Sequence, residues 1–261
     1  MDNLITILVP CRERHEATKN LLKSIQQKTT DPSRVRVITV TDFDRPEDSA
    51  NIGNYYTEQD LPYELFNISR SRNNELNKNY YNLANLMAES YFSWILGNDC
   101  IIETQGWDDA FSRGTKDCIS EIENDSSYFY VHVNDDTHVP AGNKECMGNC
   151  FPILSQNYCK KVRGPMPESN HSWDGDVQLF HGFRKIPGHK FIDLTDSIKV
   201  SHVSHHTGKA PQDEVNSELQ ATADDTIGIP MNIVSLAEQW GYQRKMTQFP
   251  LFLGDRNPFP L

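Results

Sequence analysis

Apolar and polar positions alternate regularly over the first half of the chain. Residues 4–9 (LITILV) form a continuous apolar, β-branched run ended by Pro10, which predicts a buried strand. Ala17, Leu21, Leu22 and Ile25 then share one face of a helix predicted over 16–27. A second buried strand is predicted at 35–40 (VRVITV) and a weaker one at 63–68. Tyr80, Leu83, Ala84, Met87 and Ala88 are spaced for a helix over 79–90, and 91–96 (YFSWIL) is a further buried strand that stops at Gly97-Asn98-Asp99. This β-α-β-β-α-β order predicts an α/β layered domain with a mainly parallel central sheet and helices on both faces.

The second half is less regular. Short helices are predicted at 107–116, 155–162 and 176–184, and strands at 128–133, 191–194 and 197–203. Residues 134–149 and 205–213 are polar and read as loops. Helical spacing returns at 213–223 and 232–240, followed by a proline-rich extended tail. The expected organisation is one α/β domain in two halves, 1–110 and 111–212, with a C-terminal helical extension and tail at 213–261.

Charge narrows the partners. The 261 residues carry 25 Lys+Arg against 36 Asp+Glu, a net charge of −11. Such a chain has no general attraction for nucleic acid or anionic lipid, so contact with either needs a local basic patch. Lys160, Lys161, Arg163, Arg184, Lys185 and Lys190 are the candidates for one. No apolar run approaches the roughly 20 residues of a membrane span. The N-terminus lacks the basic lead-in of a signal peptide. The expected compartment is therefore the cytoplasm, with the six cysteines reduced. Cys146, Cys150 and Cys159 have some of the spacing of a zinc site but no fourth ligand in range.

In an open α/β sheet, ligands bind beyond the carboxyl ends of the strands. Three such ends carry chemistry: Pro10-Cys11-Arg12-Glu13-Arg14, Thr41-Asp42-Phe43-Asp44-Arg45 and Gly97-Asn98-Asp99. Arginine suits phosphate oxygens, and carboxylate suits a divalent cation or a base N–H. Later in the chain, Trp173-Asp174-Gly175-Asp176 sets two carboxylates before a helix, and His205-His206-Thr207-Gly208-Lys209 is a polar loop with a lysine.

The stretches ITILVPCRER, VITVTDFDRP and YFSWILGNDCIIETQGWDD resemble the nucleotide-sugar-binding half of family-2-like glycosyltransferases with the GT-A fold, in a branch common among bacteriophage and bacterial enzymes. Thr104-Gln105-Gly106-Trp107 matches the branch's Thr-x-Gly-Trp segment. The resemblance continues through Phe151-Pro152-Ile153-Leu154-Ser155, HSWDGDVQLF and VSHVSHHTGKAPQD, and so covers roughly residues 5–213. It implies a GT-A-like, Rossmann-like fold and transfer of a sugar from a nucleotide-diphospho-sugar to an acceptor hydroxyl, with inversion and with Mn²⁺ or Mg²⁺. Pro10, Arg12 and Asp42 would line the nucleoside pocket, Asp44 being the second choice for the base contact. Arg14, Asn82, Asn98, Trp173 and Lys209 would also meet the donor. Asp99 matches the last acid of the family's DxD motif, although Gly97 stands in place of its first acid, and His202 matches a further metal ligand. Asp176 matches the catalytic carboxylate, with Asp174 as the alternative.

The acceptor stays open between a saccharide and, given the phage-like pattern, hydroxymethylated pyrimidines in DNA. In a phage-encoded enzyme the compartment would be the host cytoplasm. Two other classes also stay open: a nucleotidyltransferase, and a nucleotide-sugar-binding protein that has lost catalysis.

Overall fold

A computed structural model of the chain describes residues 3–11, 13–42, 46–60, 63–68, 81–82, 84–136, 150–162, 164–165 and 175–203. The expected helices at 213–223 and 232–240 and the tail lie outside these residues. The elements are β1 (Asn3–Cys11), α1 (His15–Lys28), β2 (Val35–Asp42), α2 (Pro46–Gln59), β3 (Glu64–Ile68), β4 (Ser90–Ile95), β5 (Cys100–Ile102), α3 (Trp107–Thr115), α4 (Ile119–Glu123), β6 (Tyr128–His132), β7 (Ile153–Ser155), α5 (Gln156–Val162), α6 (Gly175–Phe183), β8 (His189–Asp193) and β9 (Val200–His202). Residues 81–82 and 84–86 are also helical, within the span expected at 79–90.

Seven strands form one sheet in the order β3-β2-β1-β4-β7-β6-β8. The strands from β3 to β4 are parallel. β7 runs antiparallel to both of its neighbours, and β6 and β8 are again parallel. The sheet therefore crosses the boundary between the two expected halves without a break. The two-residue side-chain period of β1 sends Ile5, Ile7 and Val9 to one face and Leu8 to the other. The first face packs against Leu21, Leu22 and Ile25 of α1, Ile52 and Tyr56 of α2, and Phe111 of α3. The second packs against Tyr158 and Val162 of α5 and Leu179, Phe180 and Phe183 of α6. Both faces are covered, which is why the β1 and β4 sequences are near-continuously apolar.

The structure departs from the sequence reading in several places. Helix α2 lies between β2 and β3, where no helix was expected. Its 14 residues bury only Asp48, Ile52 and Tyr56. These make a single i, i+4, i+8 stripe whose first member is charged, so the apolar period is too short to register. β5 and β7 are three-residue strands, below the length at which periodicity is legible. β7 occupies the start of a predicted helix, which begins one residue later than expected, at Gln156.

Of the candidate basic residues, Arg163 lies outside the described residues. Because β6 and β8 run parallel to β1 and β4, their first residues lie at the end of the sheet opposite Cys11 and Asp99. Lys190 sits at the start of β8 and pairs with Glu121 at 2.5 Å. Lys161 lies over the ring of Tyr128, the first residue of β6. Arg184 and Lys185 fall between α6 and β8. These cations therefore stand away from the end of the sheet that carries Cys11 and Asp99.

Candidate active site

The strand order places a topological switch point between β1 and β4. β1 connects outward to β2 on one side, and β4 enters on the other. Pairing of β1 with β4 ends at Leu8, whereas pairing with β2 continues to Cys11, so the two chains separate above Leu8 and open a crevice at their carboxyl ends. The turn from β1 into α1 and the turn from β4 into β5 face each other across it.

Asp99 occupies the second turn. Its Oδ2 accepts from Arg14 Nη1 at 3.2 Å and faces His202 Nε2 at 3.4 Å. Asp99 and His202 side chains each remain 16% exposed, enough for a ligand to reach both. His202 is held by the backbone: it pairs across the β5–β9 ladder with Cys100, and the Val203 N–H donates to the Asp99 carbonyl at 2.7 Å. Phe151 packs edge-on against the imidazole with a centroid separation of 4.9 Å.

The Thr-x-Gly-Trp segment secures the same region from below. Thr104 Oγ1 accepts the Lys199 N–H at 2.8 Å in the approach to β9. Gly106, at φ +67°, is the left-handed residue that starts α3 and donates its N–H to the Lys28 carbonyl of α1. Trp107 is fully buried beside Trp94. Within this motif Trp107 is core, Thr104 ties down the approach to β9, and Gln105 is exposed.

Gly97 stands in a crowded position. A Cβ at this position would lie 2.7 Å from Phe151 Cε1 and 2.8 Å from Asp99 Oδ1. The ring that orients His202 thus occupies the space a first-position side chain needs. Gly97→Ala is expected to cost about 1–3 kcal/mol through overpacking. Thermal unfolding checks this, and an unchanged Tm would show that Phe151 yields freely.

A second group of polar side chains approaches from β6, β7 and α6. Asp135, just beyond β6 and 2% exposed, accepts the Phe151 N–H at 3.2 Å. Cys150 precedes β7. Burial pushes its thiol well up from the usual range, and the Asp176 and Asp135 carboxylates beside it push in the same direction. Both effects favour the thiol over the thiolate. Burial likewise pushes the Cys100 thiol up, with Asp99 and Asp135 adding to it. Asp176 stands half-buried in the first turn of α6.

Arg14, Asn98, Asp99, Asp176 and His202 thus share the crevice end of the sheet, with Asn98 8% exposed. Pro10 lies opposite Val40 at the end of β1, and the backbone of Asp42 closes β2 opposite Ile68. Asn82 has a packing role: it is buried with its amide against Gly164, where a Cβ would meet Asn82 Oδ1 at 2.4 Å. Arg12, Asp44, Trp173, Asp174 and Lys209 lie outside the described residues. Asp135, Cys150 and Phe151 were not singled out as site residues. Asp135 was findable, because it follows a strand on the same rim. Of the three cysteines with part of a zinc spacing, Cys146 lies outside the described residues, and Cys159 is buried in the opposite face of the sheet from Cys150. Among the described residues, no three His, Cys, Asp or Glu side chains group as a metal site; Asp99 and His202 form one carboxylate–imidazole pair, and Asp48 and His15 form another.

No protein-family model matches the chain, and no curated sequence matches it. Solved structures do. The chain is similar to S. aureus TarS 1–349, with 15% identity and a TM-score of 0.52 over 95% of this chain and 73% of that one. TarS 1–349 in complex with UDP-GlcNAc matches at a TM-score of 0.52 and 15% identity, over 93% and 71% of the two chains. The mannosyltransferase PcManGT from Pyrobaculum calidifontis, in complex with GDP-Man and Mn²⁺, matches at a TM-score of 0.58 and 10% identity, over 94% and 85%. The chain has the GT-A, Rossmann-like fold of these glycosyltransferases: a mostly parallel central sheet flanked by helices. Among the described residues no helix is long and apolar enough to cross a membrane.

Proposed function

We propose that the chain is a glycosyltransferase that moves a sugar from a nucleotide-diphospho-sugar to an acceptor hydroxyl, with inversion at the anomeric carbon. The observation that supports this best is the meeting of Arg14, Asp99 and His202 at the sheet's switch point, with Asp176 on the adjoining α6. In this reading residues 1–110 form the donor half and 111–212 the acceptor half. Pro10, Arg12, Asp42 and Asp44 take the nucleoside, and Arg14 and Lys209 take the diphosphate. Asp176 accepts the proton of the attacking hydroxyl as its oxygen bonds to the anomeric carbon. The bond to the diphosphate oxygen breaks on the opposite face.

A carboxylate oxygen and an imidazole nitrogen on one point, both partly exposed, are a fitting donor pair for Mn²⁺, and less so for Mg²⁺. Asp99 and His202 would hold the ion, and the diphosphate and water would complete its shell. The ion would supply positive charge against the departing diphosphate.

A saccharide is the favoured acceptor. The net charge of −11 argues against a phage-type DNA acceptor, and among the described residues Lys161, Arg184, Lys185 and Lys190 stand at the far end of the sheet from Asp99.

The test is incubation with UDP-GlcNAc and GDP-Man, each with Mn²⁺, and with EDTA as control. Release of a free nucleoside diphosphate, lost in EDTA and restored by Mn²⁺, is the expected result. Release of pyrophosphate would instead mark a nucleotidyltransferase. Tight binding of a donor without any turnover would mark a binding protein.

A further inference from the structure

Asp48 is a fully buried carboxylate that the proposed chemistry does not use. It lies in the first turn of α2, on the inward stripe otherwise made by Ile52 and Tyr56. A charge in that position is costly unless hydrogen bonds compensate it. Both oxygens are engaged, and both point to one turn. Oδ2 accepts the backbone N–H of Glu13 at 3.1 Å, and Oδ1 contacts His15 Nε2. Glu13 is held at φ +59°, a left-handed conformation that a residue with a side chain seldom adopts unless its surroundings impose it. His15 is the first residue of α1.

Asp48 therefore fastens the residues on both sides of Arg14, which is the residue that reaches Asp99. Arg14 is itself tied into α1, since its carbonyl accepts from the Thr18 N–H at 2.9 Å and from Thr18 Oγ1 at 3.0 Å. With its backbone clamped from both sides, the long arginine side chain has fewer conformations to lose when it engages an anion.

We propose that Asp48 is a positioning residue, which clamps the Glu13–His15 turn and so aims the Arg14 guanidinium across the crevice at Asp99 and at the diphosphate of a bound nucleotide. The diphosphate part rests on the donor-binding reading above. The aiming of Arg14 does not.

The first experiment needs no nucleotide. Arg14 of the full chain is modified with phenylglyoxal and its rate is followed by peptide mass spectrometry. Asp48→Ala is expected to raise the Arg14 rate about fivefold, to the level of Asp99→Asn, whereas Asp48→Asn stays within about twofold of wild type because its amide oxygen still accepts from Glu13. In the Asp48→Ala/Asp99→Asn double variant the rate should rise no further, since both changes release the same contact. General loosening would add instead, and would overturn the proposal. Asp48→Leu provides a second variant should alanine fail to fold, because it fills the stripe beside Ile52 and Tyr56 while removing both acceptors. A wild-type Arg14 rate in either Ala or Leu overturns the proposal.

The second experiment measures UDP and GDP binding with Mn²⁺ by calorimetry. Asp48→Ala should weaken whichever nucleotide binds by about fivefold or more, with Asp48→Asn restoring it. If the labelling responds but wild type binds neither nucleotide, the clamp stands and the donor-binding reading falls.

Discussion

Asp176→Asn is expected to lower turnover about 10²- to 10⁴-fold, the range over which a positioned general base contributes. The substitution keeps the size and shape of the side chain in the first turn of α6, so the helix should start unchanged. What it removes is the site that takes the acceptor proton. Nucleotide binding should therefore remain within about twofold of wild type, because Asp176 is assigned no donor contact. The measurement is kcat from nucleoside diphosphate release in the presence of acceptor, beside a calorimetric Kd for the nucleotide. If kcat falls by less than about tenfold, the base is elsewhere, and Asp174 is the next residue to change. A loss confined to Kd would move Asp176 from proton transfer to donor binding.

Asp99→Asn should have the other large effect, about a 10²- to 10³-fold drop in kcat/KM together with the loss of Mn²⁺ activation. Arg14 and His202 both converge on Asp99 Oδ2. Removing its charge leaves two cation-seeking or cationic neighbours facing each other without the group that reconciles them. The comparison with Asp176→Asn is informative because the two assignments differ. The Asp99 variant should lose nucleotide affinity in Mn²⁺, and the Asp176 variant should keep it. If Asp99→Asn retains Mn²⁺ activation at wild-type concentrations, the cation is not held there.

The sheet was legible because its central strands are buried on both faces. LITILV, VRVITV and YFSWIL announce β1, β2 and β4 without help from context. The rule that parallel strands open toward their carboxyl ends then located Arg14 and Asp99 on one rim, where they do meet. The legibility failed wherever a polar side chain performs a structural task. Asp48 takes an inward position in α2, so the helix was not expected, and the clamp it forms went with it. The neighbours of Asp176, a residue that the resemblance does single out, were hidden for another reason. Asp135, Cys150 and Asp176 are brought together by β6, by the segment leading into β7 and by α6, across 41 residues of chain from Asp135 to Asp176. No local pattern encodes that meeting. The basic residues of the second half looked like one surface in the sequence, but the reversal of β7 decides at which end of the sheet each of them emerges.

The crowding around Gly97 also bears on how this chain can change. A paired-acid motif is not one codon away, because an aspartate at 97 meets the Phe151 ring before it meets any cation. Phe151 would have to shrink first, and that would remove the edge-on support of His202. Gly97 and the Phe151 ring are thus interlocked, and neither is open to exchange by itself.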